Sequence, residues 1–403
     1  MATVCLIRPP MIDLRYMYNT IACPPVGLAY VAASAKAAAH SVRVIDAVGE
    51  APDQRVALDD PRFTARGLTA PQILNRVPQD VDVIAVSCMF SQDWPHVRGL
   101  LEALRRAFPA TAIVAGGEHV TAMPEFILGE GTVDHCVLGE GEETFVDLLD
   151  ALAGGRPASE VPGVVTRANG AIVRTARRSR IAAVDDIPEP AWDLFPIENY
   201  LGHGLGFGVN RGRSMPIVAT RGCPYQCTFC SSPTMWTTRW TARDPEKLLA
   251  EMRGYLERYG AQNFDFYDLT AIIKRDWIIA FCKLVLASGV KFTWQLPTGT
   301  RSEAIDEEVA SLLYQTGCRN ICYAPESGSA TELRRIKKKV KVPSMLASMR
   351  GSARQGLYVK ANLVIGFPGQ TRRELLETMW FIARMAVVGV RDIMISLFSP
   401  YPG

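Results

Sequence analysis

The stretch "TRGCPYQCTFC" (220–230) places Cys223, Cys227 and Cys230 within eight residues, spaced C-x3-C-x2-C. A buried apolar cluster has no need of that spacing, and a disulfide framework calls for an even count. Thiolates so arranged are metal ligands. Structural zinc takes four protein ligands, often as two C-x-x-C knuckles. No second knuckle exists here, and the nearest upstream histidine is His203. Iron–sulfur clusters are also held by cysteine thiolates. Three thiolates on a four-iron cluster would leave one iron with an open position, and an open position is where a metal meets substrate.

The rest of the chain must position that loop. Its 403 residues suffice for two or three domains with separate cores. A hydrophobic fraction of 48% with 21% charged residues is ordinary for a globular protein. A net charge of +3 is too small to argue for nucleic acid. No apolar run reaches the roughly 18 residues of a membrane span. The N-terminus lacks the basic start and apolar core of a signal peptide. Ten cysteines without an export signal indicate a reducing compartment, so the cytoplasm is expected. The seven cysteines outside the cluster lie among apolar residues and read as small buried hydrophobes.

Apolar runs at 3–9, 42–47, 81–88, 111–117 and 134–141 alternate with helix-length stretches at 26–39, 94–107, 121–128 and 142–153. This pattern predicts a doubly wound α/β domain, Rossmann-like, over 1–153, with a parallel sheet covered on both faces. Ligands bind such sheets at the carboxyl ends of the strands. Those ends carry "SCMFSQ" (87–92), "GGEH" (116–119) and "GEGEE" (139–143). Each glycine pair alone is equally a tight strand-to-helix turn; three on one rim favour a bound ligand. They are not a G-x-G-x-x-G fingerprint, which disfavours a nicotinamide dinucleotide. Residues 154–214 read as a connector containing a hairpin turned at Asn169-Gly170. From 215, strands at 215–220, 263–269, 291–297, 320–326, 360–367 and 392–399 alternate with helices, predicting a partial (β/α)6 barrel. The cysteine loop follows its first strand. The chain stops at "SPYPG", directly after the sixth strand, and is expected to be truncated there.

With Gly222 and Phe229 beside the cysteines, 215–403 resembles the radical S-adenosylmethionine (SAM) enzymes. The resemblance implies that the three cysteines hold a [4Fe-4S] cluster and that SAM chelates the open iron. One-electron reduction, from a donor such as flavodoxin or ferredoxin, would then cleave SAM to methionine and a 5′-deoxyadenosyl radical. It further implies SAM contacts at Phe229 (adenine) and at Tyr267 and Asp268 of "FYDLT" (amino group). Arg301 of "PTGTR" is placed at the carboxylate, or else is a surface arginine. Glu326 and Ser327 of "APESGS" are placed at the ribose, and Gly366, Pro368 and Gly369 of "VIGFPGQT" at the adenine.

The segments "PPVGLAYVAA", "AGGEHVTAMPE" and "VLGEGEET" resemble the cobalamin-binding domain that precedes many radical SAM enzymes. On that resemblance Ser87, Ser91, Gly116, Gly117, Glu118, His119, Gly139 and Gly141 cradle cobalamin. The Asp-x-His-x-x-Gly loop that gives cobalt a histidine in many cobalamin proteins is absent, so cobalt is expected to lack one.

The two resemblances together imply methylation of an unactivated carbon: the radical removes hydrogen and the substrate radical takes methyl from methylcobalamin. A ring-forming or oxidative reaction of the anaerobic porphyrin-ring cyclase type is the alternative; a non-catalytic cobalamin or redox sensor is a third. The run "LRRIKKKVK" (333–341), six cations in nine residues, reads as a solvated helix face, or else a seat for an anionic substrate or redox partner. Trp236, Trp240, Tyr267, Trp294 and Tyr323 would suit a large apolar substrate such as a lipid or tetrapyrrole, and equally ordinary packing. No side chain stands out as an acid or base.

Overall fold

A computed structural model describes residues 1–15 and 22–403. The chain divides into two compact units: Met1–Leu205 with Thr234–Trp236 and Tyr401–Gly403, and Gly206–Pro233 with Thr237–Pro400.

The first unit is built on β1 (Thr3–Arg8), β2 (Ser41–Asp46), β3 (Val83–Ser87), β4 (Ala112–Gly116), β5 (His135–Val137), β6 (Val164–Ala168) and β7 (Ala171–Arg174). Their order across the sheet is β7-β6-β5-β4-β3-β1-β2. The five strands from β5 to β2 are parallel. Helices α1 (Val26–Ala37), α2 (Trp94–Ala107) and α3 (Gly141–Ala153) connect and cover them. In α2 the buried residues Trp94, Val97, Leu100, Leu101 and Leu104 recur at helical spacing. They pack on Ile7, Ile84, Val86 and Ile113 of the strands, each burial worth roughly 1.5–3 kcal/mol. Chain order reverses between β1 and β3, and in a doubly wound sheet that reversal opens the crevice where ligands bind.

The Asn169-Gly170 hairpin, read from sequence as part of a connector, completes this sheet. Strand β6 pairs antiparallel with β5, so the hairpin extends one edge. A small antiparallel sheet of Met11–Leu14, Arg55–Ala57 and Phe63–Arg66 has no counterpart in the sequence reading; its strands are too short to show a period.

The second unit is a six-stranded, wholly parallel sheet in chain order: β8 (Ser214–Ile217), β9 (Asn263–Phe266), β10 (Thr293–Thr300), β11 (Cys318–Glu326), β12 (Tyr358–Ile365) and β13 (Asp392–Leu397). Helices α4 (Pro245–Tyr259), α5 (Arg275–Ser288), α6 (Glu307–Gln315), α7 (Ala330–Arg335), α8 (Val342–Arg354) and α9 (Arg372–Val387) alternate with them. Sequential parallel pairing without reversal winds the sheet one way, as in a barrel, and β8 and β13 are its two unpaired edges. Segment 206–211 is tied to inward polar side chains: Gly208 N–H donates to Asp265 and Gln295 exchanges two bonds with the Val209 backbone. Arg211 Nε donates to Asn320 at 2.7 Å. Ile395 and Leu397 of β13, with Trp380 and Val387 of α9, are exposed. No helix among the described residues is long and apolar enough to cross a membrane.

Candidate active site

The cysteine loop leaves β8 through Thr220–Arg221, which pair antiparallel with Thr241–Ala242 and so close the excursion at its root. Gly222 takes φ +85°, left-handed backbone that favours glycine. Cys230 N–H bonds to Cys227 O at 3.2 Å, and Thr228 N–H to Ile336 O at 3.1 Å. The three thiols lie within electrostatic reach of one another. Among the described residues no three acidic, thiol or imidazole groups converge around a single ion. Burial pushes the Cys227 and Cys230 thiols up, and an adjoining cation, Lys338, opposes this. Of the seven other cysteines, expected to be buried, Cys23 is only half-buried; the six buried ones contrast sharply. Burial holds Cys5, Cys88, Cys136, Cys282 and Cys322 at about 12, and inert thiols of that kind are packing residues.

Phe229 packs on Leu333, Ile336 and Phe367, its ring 5.4 Å from that of Phe367. Gly366 and Gly369 form an exposed turn at φ +83° and +76° around Pro368, with Gly366 N–H bonded to Gln370. Phe229 and this turn therefore adjoin through Phe367. Tyr267 is half-buried at the end of β9 against Phe207, ring centroids 5.7 Å apart.

Asp268, Ser327 and Arg301 are each engaged by other residues of the chain. Asp268 is buried, and its carboxylate accepts bonds from Ala219 N–H, Thr220 N–H and Thr220 Oγ1. Burial raises its pKa to about 6. It clamps the root of the cysteine loop. Ser327 is wholly buried, donating to Glu332 at 2.6 Å and touching Thr378 at 3.1 Å, which anchors α7 and α9. The Arg301 guanidinium is bonded twice to Glu303 and once to Lys339 O, and lies 3.7 Å over the Tyr225 ring in the cysteine loop. Glu326, in left-handed backbone at φ +65°, pairs with Lys338 Nζ at 2.8 Å. Thr300 Oγ1 and Asn362 Oδ1, on neighbouring parts of the same sheet, are buried with no partner among the described residues. Sequence reasoning named neither: in "PTGTR" it took Arg301 over Thr300, and a lone asparagine in a strand carries no pattern.

In the first unit the residues from Ser87 to Gly141 gather at the strand ends beside the order reversal. Gly117 is held at φ +117°, where a Cβ would lie 2.3 Å from Cys88 O. Gly139, at φ +68°, donates its N–H to Thr121 Oγ1. Gly116 and Gly141 are half-buried, as are Ser87 and Glu118. Ser91 Oγ meets His119 Nδ1 at 2.9 Å, and Trp94 packs against the imidazole at 5.1 Å. Burial lowers the His119 pKa. Its Nε2 is buried without a partner among the described residues. An orphaned imidazole nitrogen, glycines that clear the backbone, and exposed Met89 and Phe90 fit a large amide-bearing ring system.

Two of the five aromatics suggested for substrate lie in the core. Trp294 packs between Phe266 and Phe281 and bonds to Thr316. Tyr323 is bonded to Ser348 and Ser352. Trp240 bonds through Nε1 to Thr270 O, and Arg180 stacks over Trp236.

Residues 21–149 match the model of the B12 binding domain, and residues 217–382 that of the Radical SAM superfamily. The chain is 28% identical over 402 residues to an uncharacterised methyltransferase of Pyrococcus horikoshii, covering 99% of this chain and 81% of that protein. It is 29% identical to an anaerobic magnesium-protoporphyrin IX monomethyl ester cyclase of Cereibacter sphaeroides, over 75% of this chain and 49% of that protein. Among solved structures, the radical SAM methyltransferase TsrM of Kitasatospora setae superposes with a TM-score of 0.73 at 17% identity, covering 98% of this chain and 73% of that one. A B12-binding domain followed by a radical SAM domain defines the class, and the chain belongs to the cobalamin-dependent radical SAM enzymes.

Proposed function

We propose that the protein transfers a methyl group to an unactivated carbon of a small-molecule substrate. One observation carries this reading: a three-thiol loop rooted at the carboxyl end of the first strand of a sequential parallel sheet, in a chain whose other parallel sheet ends in a glycine-lined rim. When bound, the cluster with SAM supplies a 5′-deoxyadenosyl radical and cobalamin supplies the methyl group. Cys223, Cys227 and Cys230 would hold the cluster, and Asp268 keeps their loop registered on the sheet. Phe229 and the Gly366–Gly369 turn would flank the adenine, and Thr300 and Asn362 offer unsatisfied polar atoms to the rest of SAM. His119 Nε2, Gly117, Gly139 and the exposed Met89–Phe90 pair would receive cobalamin.

A cyclase-type radical reaction is the second reading, favoured by the relative of that activity at 29% identity. A large apolar or tetrapyrrole substrate, a flavodoxin- or ferredoxin-type electron donor and a cytoplasmic setting complete the proposal. Anaerobic reconstitution with iron, sulfide and cobalamin, followed by SAM turnover, tests it. Methyl transfer yields S-adenosylhomocysteine alongside 5′-deoxyadenosine and a product one methyl group heavier. Deoxyadenosine without S-adenosylhomocysteine would select the cyclase-type reaction, and neither product would reject both.

A further inference from the structure

We propose that Lys338 sets the reduction potential of the iron–sulfur site, as a fixed positive charge beside the cysteine loop whose effect Glu326 moderates. The inference rests on the cysteine reading above. Of the four lysines in "LRRIKKKVK", Lys337, Lys339 and Lys341 are exposed, whereas only 10% of the Lys338 side chain reaches solvent. The backbone forces this placement. Lys338 N–H bonds to Leu333 O and Lys337 N–H to Arg334 O, the paired closure that ends a helix, with Lys337 in left-handed backbone at φ +54°. That turn is bonded to the cysteine loop itself, through Thr228 N–H to Ile336 O at 3.1 Å. Lys338 is within electrostatic reach of both Cys227 and Cys230, and Glu326 acts on Cys227 with the opposite sign.

A nearly buried Lys–Glu pair gains little stability, because desolvation offsets the attraction. Here the carboxylate also occupies strained backbone at the end of β11, beside a register shift, and such strain gathers at functional sites. Arg301, also within reach of Cys227, is matched by its own carboxylate in a two-bond pair with Glu303. Lys338 is the cation that reaches both thiols, so Lys338 and its partner Glu326 are the charges to vary.

Cluster potentials follow local charge, hydrogen bonding and exposure. One-electron reduction adds a negative charge to the thiolate-held cluster and breaks no bond. A nearby cation favours the reduced state and a nearby carboxylate opposes it. In the reconstituted holoenzyme, titrated with dithionite and followed by electron paramagnetic resonance, Lys338→Met should move the midpoint to more negative potential. Glu326→Gln, which leaves Lys338 unopposed, should move it to more positive potential, and Lys338→Arg should keep it near wild type. Unchanged midpoints in both neutralising variants, or shifts of the same sign, would overturn the inference. A purely structural role would lower iron content without producing opposite shifts; if Lys338→Met loses iron, Glu326→Gln decides alone, a positive shift supporting and no shift rejecting. Failure of the wild-type chain to take up iron and sulfide would instead overturn the cysteine reading.

Discussion

Asp268 shows how one buried carboxylate can fix the root of the cysteine loop. Its oxygens accept from two backbone N–H groups and one hydroxyl at residues 219–220, just before Cys223. Replacing it with Ala strands those donors, at about 1–3 kcal/mol for each unsatisfied group. We expect Asp268→Ala to lose most of its iron on reconstitution, and Asp268→Asn, whose amide oxygen still accepts from Thr220, to retain more; iron analysis and cluster absorbance measure this. In the first unit, Gly117→Ala drives a methyl group into Cys88 O at 2.3 Å in left-handed backbone. It should destabilise that unit by about 2 kcal/mol or more and abolish the spectral change on adding cobalamin, as read by thermal melts and visible absorbance.

Among elements, α9 starts with a capping box in which Thr371 and Glu374 exchange bonds. Glu374 also forms two bonds with Arg335 at the end of α7, and that guanidinium, with the Thr371 N–H, holds its pKa down at about 2 against an ordinary 4.5. A depressed carboxylate stabilises the fold above its unfolded pKa, and the contribution is lost as pH falls through the folded value. Glu374→Gln should therefore lower the melting temperature at neutral pH, by about 1 kcal/mol of stability. It should also flatten the pH dependence between 4.5 and 2. Helix α7 ends on Lys337 where glycine is usual. Lys337→Gly should raise stability by roughly 1 kcal/mol, because left-handed backbone costs an L-residue about that much; a chemical denaturation curve with unchanged slope would verify it.

For the whole molecule, the two units carry separate cores and separate candidate cofactor residues. A ligand bound only by folded protein at one hundred times its Kd adds about 2.7 kcal/mol. Cobalamin added to cluster-free protein should stabilise the portion reported by amides of β1–β5 and leave those of β9–β12 unchanged, as hydrogen exchange resolved by peptide would record. Equal protection in both sets would contradict the assignment of the rim.

Spacing was enough to mark the cysteine loop, since three thiolates at C-x3-C-x2-C have a metal-binding meaning independent of context. Continuous apolar runs likewise marked the first parallel sheet, because strands buried on both faces do not alternate, and repeated alternation of strands with helices marked the second. The hairpin's membership of the first sheet was not legible: Asn169-Gly170 specifies a turn but not the edge on which its strands pair. Nor were the internal partners of Asp268, Ser327 and Arg301, namely Thr220, Glu332 and Glu303. Lys338 was hidden in a run of cations that reads as solvated, and only the helix closure at Lys337 singles it out. Local chemistry and periodicity are properties of neighbouring residues, so the sequence determined them. Which polar group satisfies which depends on contacts between distant residues, and that only the tertiary structure decided.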